Sequence, residues 1–342
     1  MALKTPRHWY RREGSGFRAG RLVLAPLSWI WALATARRLR RGTPVDPGVP
    51  VICVGNLTLG GTGKTPVVRA LVARLRAGGV AAHVLSRGHG GRLAGPVRVD
   101  PDAHTAADVG DEALMMAADG APVWIARDRA AGARAAVAAG AAAIVMDDGH
   151  QNPSLAKVLS LVVVDGETRD GEWPFGDGAV FPAGPMREPL AAGLARADAV
   201  VLLLPADLAE ADPRLLAAMA GKPALIARLT PLAPPPAGPQ VGLAGVGKPW
   251  KVERALKAAG CDLVDFAPLP DHAAIPEATL TFLADRAAAL GAGLVTTEKD
   301  HARLSPAWRA RVTPWPVSVR FDDEAALAAL LASATAGAVR GS

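Results

Sequence analysis

Seven consecutive residues, Leu59-Gly60-Gly61-Thr62-Gly63-Lys64-Thr65, combine three glycines, a lysine and a hydroxyl in an order that suits the gripping of a polyphosphate. The glycines free backbone N–H groups to turn inward around an anion. Lys64 can neutralise the β and γ oxygens, and the Thr65 hydroxyl can ligate Mg²⁺. Thr58 stands where the usual phosphate-loop pattern has a glycine, so the local form is Gly-Gly-x-Gly-Lys-Thr. Such a loop needs a strand before it and a helix after it. The apolar run 49–54 and the helix-like segment 66–77 supply both. A rival glycine run, Gly242 to Gly247-Lys248, has the standard spacing but ends in Pro249, which offers neither hydroxyl nor N–H. It reads as a strand-to-helix turn and leaves Lys64 as the site lysine.

Other candidate groups are less decided by their spacing. The apolar run 141–146 ends in Asp147 and Asp148, and a carboxylate at a strand tip beside a phosphate loop is where Mg²⁺ is held. Turn chemistry is the plainer reading of an Asp-Gly pair; the loop and the apolar strand together favour a metal role for at least one. Asp111 and Glu112 open a helix after Gly110, a position acidic residues occupy for electrostatic reasons alone. His272 lies in a loop. Arg187 and Glu188 follow the rigid Pro182-Ala183-Gly184-Pro185 turn, which could aim a charge into a cleft or start an exposed helix. Thr297-Glu298-Lys299-Asp300 closes a strand and reads as its polar end.

The elements that must position these groups are legible. Half of the 342 residues are hydrophobic and a fifth charged, a globular composition with room for two domains. Cys53 and Cys261 lack metal-ligand spacing and suit a reducing compartment. Apolar strands are predicted at 49–54, 82–85, 122–126, 142–146, 159–164, 199–204 and 224–229, with helical segments between most of them. That alternation specifies a mostly parallel sheet covered on both faces, with ligands at the carboxyl ends of its strands. Five prolines in 231–239 mark a linker. A smaller α/β unit follows, with strands at 241–244, 262–266, 293–297 and 317–321. The division is 1–41 as an N-terminal arm, 42–230 as the core, 231–239 as linker and 240–342 as a second domain.

The arm differs from the rest. Lys4 and nine arginines face Glu13 alone within residues 1–41, an excess larger than the net +6 of the whole chain. A nucleic-acid protein would carry its basic residues across the folded surface, whereas here they flank the apolar segment 22–36. Fifteen helical residues reach roughly 22 Å, short of the roughly 30 Å hydrocarbon core. Trp29, Trp31 and the arginines suit headgroup depth at an anionic cytoplasmic leaflet, with an apolar helix docked on the core as the alternative. A secretory signal is excluded, because the apolar run enters an arginine cluster instead of a cleavage site.

Together these segments resemble the tetraacyldisaccharide 4′-kinases of lipid A synthesis in Gram-negative bacteria. The likeness runs through Pro6-Arg7-His8-Trp9-Tyr10, the long stretch from Val54 to Pro66, Ser86-Arg87-Gly88, Gly110-Asp111-Glu112, Asp147-Asp148-Gly149-His150-Gln151, Pro182 to Pro189, Asp271-His272 and Thr297 to Asp300. It departs at His89, where the family usually has tyrosine, and at Ala179, where it has arginine. The resemblance implies a phosphate-loop kinase that moves the γ-phosphate of ATP to the 4′-hydroxyl of a tetraacylated glucosamine disaccharide 1-phosphate. It implies Asp111 and His272 as the pair that activates the hydroxyl, with Lys64 as the third catalytic residue. Thr65, Asp147, Asp148 and Glu188 are implied for Mg²⁺, and residues 58–65 with Arg187, and more weakly Arg129, for the phosphates. A monomer on the cytoplasmic face of the inner membrane follows from the same likeness. Removing residues 1–41 is then expected to weaken membrane binding while sparing nucleotide binding. The Gly-Gly-x-Gly-Lys-Thr form is shared with partitioning and septum-positioning ATPases, but their signature lysine is replaced here by Leu59. The guanine-selective Asn-Lys-x-Asp of GTPase-like chaperones is absent.

Overall fold

A computed structural model describes residues 6–11, 18–219, 221–271 and 273–336. In chain order its strands are β1 (Val51–Gly55), β2 (Ala82–Ser86), β3 (Val97–Arg98), β4 (Val123–Ile125), β5 (Ala143–Asp147), β6 (Leu159–Asp165), β7 (Ala199–Pro205), β8 (Ala224–Pro231), β9 (Gln240–Ala244), β10 (Leu263–Pro268), β11 (Gly293–Thr297), β12 (Thr313–Trp315) and β13 (Val317–Phe321). Among the described residues they form two sheets. The larger has nine strands in the order β13-β8-β7-β6-β1-β5-β2-β4-β3, parallel except for its two edge strands. The smaller, β10-β9-β11-β12, is parallel throughout.

Every residue of β1, β2, β5 and β6 is buried, which is why these strands read as mostly apolar runs and not as alternating ones. Helix Lys64–Ala77 covers one face through Val67, Val68, Leu71 and Leu75. Helix Arg129–Ala138 covers the other through Ala133 and Ala136, small residues that let it lie close to the sheet. β1 lies between β5 and β6, with β5, β2 and β4 fanning to one side and β6, β7 and β8 to the other. The crevice beyond its carboxyl end is therefore the topological switch point where such sheets bind ligands.

The domain division is corrected at its last boundary. β13 pairs antiparallel with β8, Val317 against Pro231 and Val319 against Leu229, and so belongs to the large sheet. Helix Glu324–Thr335 follows it there, with Leu327 and Leu331 in the cluster that holds Val67 and Leu71. The second domain is thus an insertion of β9 to β12 between two paired core strands. Strand periodicity carries no mark of which sheet a strand joins, and this is why the sequence assigns 317–336 to the wrong unit.

The N-terminal helix runs over Arg18–Arg41, longer than the apolar segment because the flanking arginines are also good helix formers. Its polarity is inverted. Among its described side chains Ser28 and Thr35 are the buried ones, and the Ser28 hydroxyl donates to the Val180 carbonyl at 2.8 Å while accepting from the Ala183 N–H at 3.1 Å. Leu22, Val23, Leu27, Trp29, Ile30 and Leu33 face outward, each more than half exposed. No described helix is long and apolar enough to cross a membrane.

Candidate active site

β1 delivers the chain to the glycine loop, and two left-handed glycines shape it: Gly60 at φ 88° and Gly63 at φ 81°, conformations that side-chain-bearing residues resist. Gly63 caps helix Lys64–Ala77, so the helix N-terminus and the loop amides face one volume. Asn56 spans the loop from inside, its Nδ2 3.2 Å from the Thr62 hydroxyl. The Pro182 to Pro189 segment braces it from outside. Leu59 N–H donates to the Pro185 carbonyl at 2.8 Å, Arg187 N–H to the Leu57 carbonyl at 2.8 Å, and Thr58 bridges antiparallel to Met186.

Three predicted residues meet at the mouth of this loop. Arg187 Nη1 donates to both carboxylate oxygens of Asp148, at 2.8 and 3.0 Å, and Arg187 Nε to the Thr58 carbonyl at 3.1 Å. Lys64 Nζ lies 3.5 Å from Asp148 Oδ1. Burial alone would raise the Asp148 pKa, but Lys64 and Arg187 outweigh it and hold the carboxyl well below the usual range. Asp148 takes φ 51°, one of the few left-handed conformations aspartate tolerates, and this turn gives the paired carboxylates different surroundings. Asp147 stays inside at 1% exposure, with Ser86 Oγ 3.4 Å from Oδ2 and no partner for Oδ1 among the described residues. Burial, then the charges of Glu112 and Asp148, push its pKa up to about 7.

That orphaned Oδ1, at the end of the strand paired with β1, fits a divalent cation. No group of three His, Cys, Asp or Glu side chains is arranged to hold a metal ion among the described residues. This donor set suits Mg²⁺, which takes one or two carboxylates and completes its shell with water and substrate phosphates. Glu188, the fourth residue implied for Mg²⁺, is held by protein partners. Its buried carboxylate accepts from Arg196 Nη2 at 2.6 and 2.7 Å and from Gln151 Nε2 at 2.9 Å, so its charge is already neutralised. Arg129 is buried close to Asp147, and desolvation lowers its pKa to about 10.

Asp111 stands at the start of helix Asp111–Ala118 because Gly110, at φ 90° and ψ 148°, turns the chain there. Only glycine occupies that region readily, and a Cβ at Gly110 would also lie 2.4 Å from the His89 carbonyl. Asp111 is buried, accepts from the Glu112 N–H at 2.9 Å, and has two cations of the second domain beside it, Lys299 Nζ at 3.9 Å and Arg303 Nε at 4.0 Å. Lys299 also lies 3.3 Å from Glu112 and 3.2 Å from Asp271, and these three carboxylates hold its pKa up against desolvation. His272 lies outside the described residues. Lys299 and Arg303 are the residues that sequence reading missed; their spacing of four along one helical stretch after β11 was the available signal.

The second domain touches the loop directly, since a Cβ on Gly247 would come within 2.8 Å of the Gly61 nitrogen. Lys248 points elsewhere. It is buried and donates to Asp165 Oδ2 at 2.7 Å, with Glu172 at 3.7 Å.

A family model described as tetraacyldisaccharide-1-P 4′-kinase matches residues 20–336. A tetraacyldisaccharide 4′-kinase of Phenylobacterium zucineum is 68% identical over 331 residues, 97% of this chain and 99% of the relative. One from Caulobacter vibrioides is 67% identical over 331 residues, 97% and 98% of the two chains. Among solved structures, an "apo" form of LpxK from Aquifex aeolicus in complex with ATP superposes with a TM-score of 0.70 at 24% identity. The match covers 92% of this chain and 99% of that one, a likeness of fold.

Proposed function

As a member of the tetraacyldisaccharide-1-P 4′-kinase family, the chain is a phosphotransferase of lipid A synthesis acting on an acylated glucosamine disaccharide, and we propose how its residues divide that work. ATP lays its phosphates on the amides of residues 58–65. The observation that carries this reading is the meeting of Lys64 and Arg187 on one carboxylate, Asp148, at the loop mouth. Two cations aimed at one anion form a ready seat for a triphosphate. As the γ-phosphoryl moves, they neutralise the charge that develops on its oxygens, the main task in a transfer with little covalent chemistry for the protein. Asp111 accepts the proton of the attacking 4′-hydroxyl, with Lys299 and Arg303 placing positive charge beside it. His272 is assigned as its partner from the family resemblance.

Asp147, with Thr65 and water, would hold Mg²⁺, which shields the bridging and terminal phosphate oxygens when bound. A cation binds the ionised carboxylate, while the proton holds the carboxyl below pH 7. Metal affinity should therefore fall as pH drops through about 7, by about tenfold per unit at the steepest, and level off above it. Titration with Mn²⁺ followed by its electron paramagnetic resonance signal measures this without turnover. Equal affinity at about pH 6 and about pH 8 would remove Asp147 from the site.

The inverted helix Arg18–Arg41 is the proposed membrane contact, its apolar face entering the interfacial region of an anionic leaflet and its arginines lying among headgroups. Labelled γ-phosphate should appear on acylated disaccharide presented in phosphatidylglycerol vesicles. Leu27→Glu with Ile30→Glu should lower vesicle partitioning by at least about tenfold and slow that transfer while leaving ATP affinity as it was, because both side chains face outward. Release of label only as free phosphate would contradict the acceptor assignment. Unchanged sedimentation with vesicles would contradict the anchor.

A further inference from the structure

The short helical turn Arg7–Tyr10 is tied to the nucleotide loop. The Tyr10 hydroxyl donates to the Leu59 carbonyl, and the ring is 4% exposed. The Tyr10 carbonyl accepts from the Trp173 N–H at 2.6 Å, and Arg11 pairs antiparallel with Glu172, so the turn is held by core backbone on its far side. Lys248 Nζ of the second domain sits 4.3 Å over the Tyr10 ring while paired with Asp165 at 2.7 Å. One side chain thus joins the N-terminal arm, the loop and the second domain.

From this junction we infer that Tyr10 is a positioning residue for the ATP loop. Leu59 and Gly60 share one trans peptide unit, whose C=O and N–H point in opposite directions. A hydroxyl that fixes the Leu59 carbonyl on the outer side therefore fixes the Gly60 N–H toward the side that the phosphates approach. The control is needed at this peptide. Gly60 carries no Cβ and holds a positive φ, so its φ, turning together with the Leu59 ψ, can rotate this peptide plane at little cost. Leu59 is also held by its own N–H on Pro185, so the tyrosine supplies the second of two fixed points. With both in place the amide is aimed before ATP arrives, and the ordering cost is removed from the binding step. The arm is then part of the nucleotide site, which reverses the expectation that its removal spares nucleotide binding.

The inference rests on the assignment of residues 58–65 to the triphosphate, and the test separates the two. Tyr10→Phe keeps the ring under Lys248 and removes only the hydroxyl. In the full chain it should raise the KM for ATP about fivefold to tenfold, the worth of one net hydrogen bond. Its kcat should stay within about twofold, with melting temperature and phosphatidylglycerol-vesicle binding unchanged. Lys64→Ala serves as the control for the loop. If Lys64→Ala loses ATP affinity while Tyr10→Phe keeps the wild-type KM, the role of Tyr10 is refuted and the loop assignment stands. If Lys64→Ala binds ATP normally, the loop assignment itself fails. A KM change in Tyr10→Phe that comes with an equal fall in kcat and a lowered melting temperature would be general damage, and would also refute the positioning role.

Discussion

Lys64→Ala is expected to reduce turnover by about a hundredfold to a thousandfold, the usual effect of deleting one preorganised donor from a site where negative charge develops. The side chain is largely enclosed, 12% exposed, and lies 3.5 Å from a carboxylate that Arg187 also holds. Its removal leaves Arg187 as the remaining partner of Asp148 in that trio, so the loss should appear both in ATP affinity and in kcat. Steady-state kinetics at saturating lipid measure both. A variant with wild-type kcat would remove Lys64 from the transfer step.

Asp111→Asn should be nearly as damaging but in a different parameter. Asparagine keeps the size of the side chain and an oxygen for the Glu112 N–H bond, yet it is a poor proton acceptor. Loss of a general base lowers kcat by about a hundredfold or more, with KM for ATP little changed. The split separates this variant from Lys64→Ala, in which both parameters move. The neighbouring charges make asparagine preferable to alanine. Lys299 and Arg303 are mostly buried, at 16% and 7% side-chain exposure, and a void at position 111 would leave them facing empty space. Unchanged turnover would remove Asp111 from the chemistry.

Much of this was legible in the residues because local rules and global fold agree. The buried strands carry mostly apolar runs, and Gly60-Gly61-Thr62-Gly63-Lys64-Thr65 lies between β1 and its helix as the spacing requires. What stayed hidden depended on contacts between distant segments. The spacing of Glu188 next to Arg187 gives no sign that Arg196 neutralises it and Gln151 hydrogen-bonds it. Lys299 and Arg303 look like the polar end of a strand until the second domain sets them beside Asp111. Tyr10 is one aromatic in a basic arm, and its hydroxyl reaches a carbonyl 49 residues away. The return of β13 to the large sheet is of the same kind, since edge pairing with β8 leaves no periodic trace in either strand.

That return determines how the smaller lobe can travel. It leaves the core at the end of β8 and re-enters at β13, and Pro231 and Val317 face each other in register. A lobe hung from a single thread could swivel freely, whereas one suspended from two adjacent, hydrogen-bonded strands swings like a door on one hinge line. Each swing would carry Lys299, Arg303 and the Gly247 turn along the same arc, toward or away from Asp111 and Gly61.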